Sequence, residues 1–203
     1  MDKKNQKTGK FYMRLNSLSQ DENDPTLLNA LFIIHDFELS YNGQVITEEI
    51  CRENMNSLVN KPIVCKYIPK SENDGLDALT DHELCVDTDR NTGEKFITTD
   101  TVPIGNFTDV YIDDFEDESG ETKRVLYGKA VLWFDKNRNV CLLLEEWLDR
   151  GIVIPASVEY LYSNYNVSDG IEYIQSPIIY VAHALLNAED RNDYEKVYPA
   201  YDS

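Results

Sequence analysis

The sequence predicts a mainly β fold with flanking helices, and three observations carry that expectation. Seven segments, 31–39, 62–68, 95–101, 102–112, 125–134, 152–162 and 171–186, are rich in β-branched and aromatic residues. Two stretches space their apolar residues as a helix does. So many strands leave many edges, and an antiparallel barrel or strongly bent sheet disposes of them.

Residues 1–25 are polar and end in Asp21-Glu22-Asn23-Asp24-Pro25, which reads as a flexible or loosely docked arm. Residues 26–203 show no repeat, low-complexity linker or composition break, so they read as a single domain. In the strand at 31–39, Leu31, Ile33, His35, Phe37 and Leu39 share one face, and Phe32, Ile34, Asp36 and Glu38 the other. Asn42-Gly43 then supplies a tight turn. Thr47 caps a helix with Glu48 and Glu49 in its first turn and an apolar stripe of Ile50, Cys51, Met55 and Leu58. The acidic stretch 113–121 lies between two strands and reads as an exposed hairpin loop; its carboxylates lack a calcium-loop register. A second helix covers 139–150, with Val140, Leu143, Leu144, Trp147 and Leu148 on one stripe and Gly151 as its stop.

Composition excludes several function classes. Of 203 residues, 37 are Asp or Glu and 19 Lys or Arg, a net charge of −18. Such a chain repels phosphate backbones, so nucleic acid is not an expected partner. The charge suits a solvated acidic surface first, and a basic partner or DNA mimicry second. With 13 Tyr and 7 Phe the chain is too aromatic for a disordered acidic tail. No run approaches the roughly 18 apolar residues of a membrane span, and the basic start lacks the apolar core of a signal peptide. No membrane association is expected, and the chain reads as a soluble protein that stays in the cell making it. Cys51, Cys65, Cys85 and Cys141 are scattered singly, which argues for reduced thiols rather than a metal or redox centre. No cofactor is implied.

The three histidines are the candidate acid–base groups. His35 sits in mid-strand among apolar residues and reads as structural. His82 lies in a polar loop, between Asp81 and Glu83. His183 lies in the apolar run Tyr180-Val181-Ala182-His183-Ala184-Leu185-Leu186, where a lone histidine is usually a hydrogen-bonded core residue. In Gly151-Ile152-Val153-Ile154-Pro155-Ala156-Ser157-Val158-Glu159 a helix stop leads straight into an apolar strand that carries a serine. Ser157 and Glu159 fall on one face of that strand. A serine becomes a nucleophile when a neighbouring base takes its proton and a third group orients that base. The chain offers Ser157, His82 as base, and His183 or Glu159 as orienter, without a Gly-x-Ser-x-Gly elbow.

The blocks Asn60-Lys61-Pro62-Ile63-Val64, Asp81-His82-Glu83, Ile104-Gly105-Asn106-Phe107-Thr108-Asp109-Val110-Tyr111-Ile112-Asp113 and Tyr127-Gly128-Lys129-Ala130-Val131-Leu132-Trp133, followed by the helix–Gly151–Ser157-Val158-Glu159 passage, resemble tailed-bacteriophage prohead proteases. These capsid-maturation serine proteases share the fold of the herpesvirus assemblins. The resemblance covers roughly residues 30 to 200, and the order and spacing of the blocks carry more of it than any single block. It implies an antiparallel β-barrel of assemblin type flanked by helices. It also implies Ser157 as nucleophile, His82 as general base, and His183 as the third histidine, with Glu159 as the carboxylate alternative. Arg191 matches the position of an oxyanion-stabilising arginine. The chain departs from the pattern at Val158, where a larger apolar residue is common, and it ends at Ser203 without a long scaffold-like tail.

The expected function is therefore a serine endopeptidase that cuts capsid scaffold and major capsid protein inside the assembling procapsid, in the host cytoplasm. Self-association as a homodimer is a further implication of the resemblance. The alternatives are a catalytically inactive structural head or scaffold component on the same fold, and an acidic interaction module that mimics DNA.

Overall fold

The computed structural model describes residues 13–116 and 120–199. Its strands are β1 (Arg14–Gln20), β2 (Leu27–Asp36), β3 (Gln44–Val45), β4 (Pro62–Cys65), β5 (Tyr67–Ile68), β6 (Ala78–Leu79), β7 (Leu84–Thr88), β8 (Lys95–Thr99), β9 (Val102–Glu116), β10 (Thr122–Trp133), β11 (Ile154–Ser168) and β12 (Ile171–Leu185). The helices are α1 (Glu48–Asn54), continued by a 3₁₀ turn at Met55–Leu58, and α2 (Arg138–Asp149).

Seven strands close into a barrel in the order β11-β1-β2-β10-β9-β4-β12, with β12 returning to β11. A closed ring with an odd number of strands cannot alternate direction throughout, so one neighbouring pair must run parallel. That pair is β12 and β4, which meet at His183↔Ile63 and Ala184↔Val64. All other barrel neighbours are antiparallel.

Closure settles the edges within the barrel. The outer edge of β12 pairs with β3 at Glu172 and Tyr173 and with β4 only at His183 and Ala184. Between them α1 and its 3₁₀ extension take the exposed amides: Ile178 N–H donates to Asn54 Oδ1 (3.0 Å) and Tyr180 N–H to Ser57 Oγ (3.1 Å). Thr47 caps α1, its Oγ1 accepting from Ile50 N–H. α2 seals another side with Val140, Leu143, Leu144 and Trp147 buried. Gly151 ends it in the left-handed region (φ +70°), where the Gly151 and Ile152 amides return to the carbonyls of Leu148 and Trp147. Cys51, Cys65 and Cys141 pack as small apolar groups, and burial pushes their thiols up to about 11, 12 and 12.

Three expectations need correction. Residues 14–20 are not a loose arm: they form β1, which bridges β11 and β2 and completes the barrel, while Met13 and Leu15 are buried. Residues 1–12 lie outside the described residues. Asp113, Asp114, Phe115 and Glu116 are not loop but the end of β9, paired with Val125, Arg124, Lys123 and Thr122 of β10; residues 117–119 lie outside the described residues. The simple alternation expected for 31–39 is broken, because Tyr127 pairs with Ile33 and Leu126 with His35, which leaves Ile34 as an extra residue on β2. The bulge lets Ile34 and His35 both join the interior, while Ile33 packs outside against Val125 and Tyr127.

Gly128 shows how tightly the interior is filled. A Cβ there would meet the Phe107 ring at 2.5 Å and Ile34 Cδ1 at 3.1 Å, and Phe107 is fully buried. Gly128→Ala is therefore expected to destabilise the fold by roughly 1–3 kcal/mol, the cost of overpacking a filled core. Urea unfolding against the parent chain measures it.

Candidate active site

Ser157 is the fourth residue of β11, which starts three residues after the glycine that stops α2. Across the hairpin Ser157 pairs with Ala184, Val158 with His183 and Glu159 with Ala182. Directly paired residues share a face of the sheet. Ser157, Glu159, Ala182 and Ala184 accordingly face outward, and Val158 and His183 face the barrel interior.

The loop 80–83 brings His82 onto the outer face. Its entry is fixed by Leu79 N–H donating to Asn187 Oδ1 (3.2 Å) and Thr80 N–H to the Lys66 carbonyl (3.1 Å). Its exit is fixed by Asp100 N–H donating to the Glu83 carbonyl, with the Lys66–Asp100 ion pair beside it. Because Asn187 lies two residues beyond β12, the loop that carries the histidine is tied to the strand beside the serine.

His82 and Ser157 line one open cleft of about 510 Å³, together with Tyr41, Asn42, Leu186, Tyr198 and Pro199. His82 Nδ1 stands 3.5 Å from Glu159 Oε1. That is an ion-pair contact longer than a hydrogen bond, and Oε1 is buried with no hydrogen-bond partner. Burial raises the pKa of Glu159, and the charge of a protonated His82 opposes the rise. An imidazolium at His82 thus satisfies a carboxylate that otherwise lacks a partner. His82 Nε2 stands 3.8 Å from the Asp81 carboxylate. The arrangement can support a serine–histidine–carboxylate relay, with Ser157 nine per cent exposed at the edge of the cleft.

His183 does not join this group. Its side chain is fully buried on the opposite face of the sheet, edge-on to Phe32 and Phe107 at 5.4 and 5.8 Å. Neither ring nitrogen has a hydrogen-bond partner, and burial, with the charges of His35 and His82, lowers its pKa to about 3. Of the two orienters the sequence offers, the geometry brings Glu159 to His82 and leaves His183 in the core. Arg191 is also elsewhere. Its guanidinium donates to Glu146 (2.5 Å), Glu189 (2.6 Å) and the Asp77 carbonyl (3.0 Å), and lies over Trp147. It clamps α2 to the C-terminal segment. Burial pushes the Glu189 carboxyl up, but hydrogen bonds from Arg150, Arg191 and Trp147 outweigh it and hold the pKa at about 2.

Sequence reasoning did not single out Tyr41, Leu186, Tyr198 or Pro199 as cleft residues, nor Asn187 as the organiser of the His82 loop. Asn187 left one signal, a polar side chain directly after the apolar run that ends at Leu186. Among the described residues no three His, Cys, Asp or Glu side chains gather as a metal site, and no helix is long and apolar enough to cross a membrane.

The model of the family described as the YonD N-terminal domain matches residues 30–203. The chain is 45% identical over 202 residues to the SPbeta prophage-derived uncharacterized protein YonD of Bacillus subtilis (strain 168), a match that takes in 98% of this chain and 42% of that protein. The chain thus spans about two fifths of the length of this relative. No solved structure matches it. With the family model covering the cleft and every barrel strand but β1 and the start of β2, the chain belongs to the YonD N-terminal domain family.

Proposed function

We propose that the chain is a serine endopeptidase of the prohead protease kind, with Ser157 as nucleophile, His82 as general base and Glu159 as the group that orients it. The observation that carries this reading is the shared cleft: Ser157 and His82 come from distant parts of the chain, and Glu159, two residues from the serine, meets the same histidine at 3.5 Å. The closed barrel with flanking helices is the architecture expected from the resemblance. The prophage origin of its relative supports a phage setting. Scaffold and major capsid protein inside the procapsid, in the host cytoplasm, are the substrates this reading assigns, and self-association of the enzyme belongs to the same reading.

In the chemistry proposed, Ser157 Oγ attacks the scissile carbonyl as His82 takes its proton. The C–N bond then breaks, and His82 returns the proton to the leaving amine. Water, deprotonated by the same histidine, hydrolyses the acyl-enzyme. Glu159 holds the imidazole and balances its positive charge.

The test is intact-mass analysis of the chain co-expressed with scaffold and capsid proteins of the phage that encodes it, against Ser157→Ala. Discrete fragments that vanish in the variant are the expected result. Fragments that persist would move the nucleophile elsewhere. Their absence from both would overturn the enzyme reading in favour of a catalytically silent head component.

A further inference from the structure

The C-terminal segment of the chain returns to the same cleft. After β12, Asn187 gathers the chain: its Nδ2 donates to the carbonyls of Glu189, Tyr194 and Glu195, and its own carbonyl accepts from Val197 N–H (3.0 Å). These bonds aim residues 197–199 along the outer face of β12. There Ala182 and Ala184 are small, and with Val64 and Leu186 they leave a shallow apolar trough in which Val197 is seated. Ala184 and Ala182 are the cross-strand partners of Ser157 and Glu159, so the trough runs directly beside the candidate nucleophile. Tyr198 and Pro199 continue into the cleft wall; Tyr198 is exposed, whereas Pro199 is buried.

A backbone amide bonded to the Asn187 carbonyl, an aliphatic side chain in an apolar seat and a buried proline lining the same cleft as Ser157 together make a bound peptide that happens to be covalently attached. We propose that residues 197–199 are a cis-acting strap that occupies the peptide-binding side of the Ser157–His82 cleft. When the strap is displaced, the trough accepts an extended polypeptide bearing an aliphatic side chain. The attachment makes the strap a strong competitor, because a tethered ligand sits at millimolar effective concentration on a short linker. An incoming chain therefore has to displace it. The occupancy stands on the packing alone; its meaning as a brake on proteolysis rests on the endopeptidase reading.

Alkylation of a cysteine at the serine position separates the two. In a Ser157→Cys, Cys85→Ser background, the full chain is compared with one ending at Lys196 and with Val197→Asp, which sets a carboxylate against the apolar trough. Iodoacetamide is expected to label Cys introduced at 157 at least tenfold faster in both variants. A synthetic peptide Glu-Lys-Val-Tyr-Pro is expected to slow labelling of the shortened chain and to leave the full chain unaffected. Equal labelling rates in the three proteins would overturn the strap. If shortening unfolds the chain, the buried Cys51, Cys65 and Cys141 are labelled too, and Val197→Asp then decides alone. Labelling needs no proteolysis, so if the rate difference appears but the chain ending at Lys196, with Ser157 intact, cleaves nothing, the endopeptidase reading falls and the strap stands.

Discussion

On the endopeptidase reading proposed above, His82→Ala is expected to abolish Ser157-dependent cleavage, lowering kcat/KM on the order of 10⁴-fold or more, while His183→Leu is expected to leave it within about threefold. The contrast follows from the sheet. His82 lies on the outer face, in the cleft with the serine, whereas His183 points into the barrel between Phe32 and Phe107. A proton cannot pass through a packed β-sheet, so a histidine on the inner face has no route to the serine. Glu159→Gln is expected to fall between, roughly 10²–10⁴-fold down, because the amide still fills the space but no longer balances the imidazolium charge. The effect is expected in kcat more than in KM, since Glu159 acts through His82 and not on the substrate. Steady-state kinetics on a cleaved scaffold segment reads all three variants. A loss in His183→Leu as deep as that in His82→Ala, with the melting temperature unchanged, would restore His183 as the third catalytic member and refute the pairing described here.

Most of the architecture was legible because its signals are local. The strand runs, the Thr47 cap and the Gly151 stop each depend on neighbours within a few residues, and each has its counterpart in the fold, although the run 62–68 is divided between β4 and β5 and the run 31–39 ends at Asp36. β1 was missed for the opposite reason. Its apolar marks are Met13, Leu15 and Leu18 in a polar stretch, and it is held by pairing, with the distant Ile154 and Pro155 on one side and residues 28–33 of the next strand on the other. The Ile34 bulge was equally invisible, since it exists only in the register between β2 and β10. Strand period alone therefore puts His35 on the same face as Ile33, and the bulge turns it to the other.

The candidate site was legible in its members and not in their grouping. Ser157 and Glu159 share a face by strand period alone, and the pairing of β11 with β12 keeps them together. The choice between His183 and Glu159 turns on a register that no motif encodes: had His183 been paired with Ser157 in place of Val158, it would have stood on the outer face. Arg191 illustrates the same limit. Its place in the sequence suggested the serine, but three acceptors on α2, on the segment after β12 and on the chain before β6 hold it elsewhere.

Acidification from pH 6.5 to pH 5 is expected to remove roughly 3 kcal/mol of folding stability through His35 and His183. Both rings are fully buried. Burial lowers His35 to about 4, with the hydrogen bond to the Asp36 carbonyl working against the shift, and it lowers His183 to about 3. The His35 ring is neutral in a defined form: Nδ1 must carry the proton it donates to the Asp36 carbonyl (2.6 Å), so Nε2 accepts from the Tyr180 hydroxyl (2.8 Å). A base whose pKa is depressed by folding takes its proton more readily in the unfolded chain. Its contribution is therefore intact above the ordinary value of 6.5 and drains away as pH falls towards 4 for His35 and 3 for His183. Each histidine contributes at most about 1.4 kcal/mol per pH unit, reached only well below 6.5, hence about 1.6 kcal/mol between pH 6.5 and pH 5 and roughly 3 for the pair. The raised carboxyls of Asp36 and Glu159 oppose the trend, since they bind protons better in the fold. Against a typical total of about 5–15 kcal/mol, a histidine contribution of this size is a large fraction of what holds a domain together. His183→Leu removes one of the two titrations together with two unpartnered nitrogens. Its slope of stability against pH is expected to be about half that of the parent, with stability at pH 7 equal or higher. Urea unfolding of both proteins at pH 7, 6 and 5 measures this, and a His183→Leu chain as acid-labile as the parent would mean that the histidine is not buried as a neutral ring.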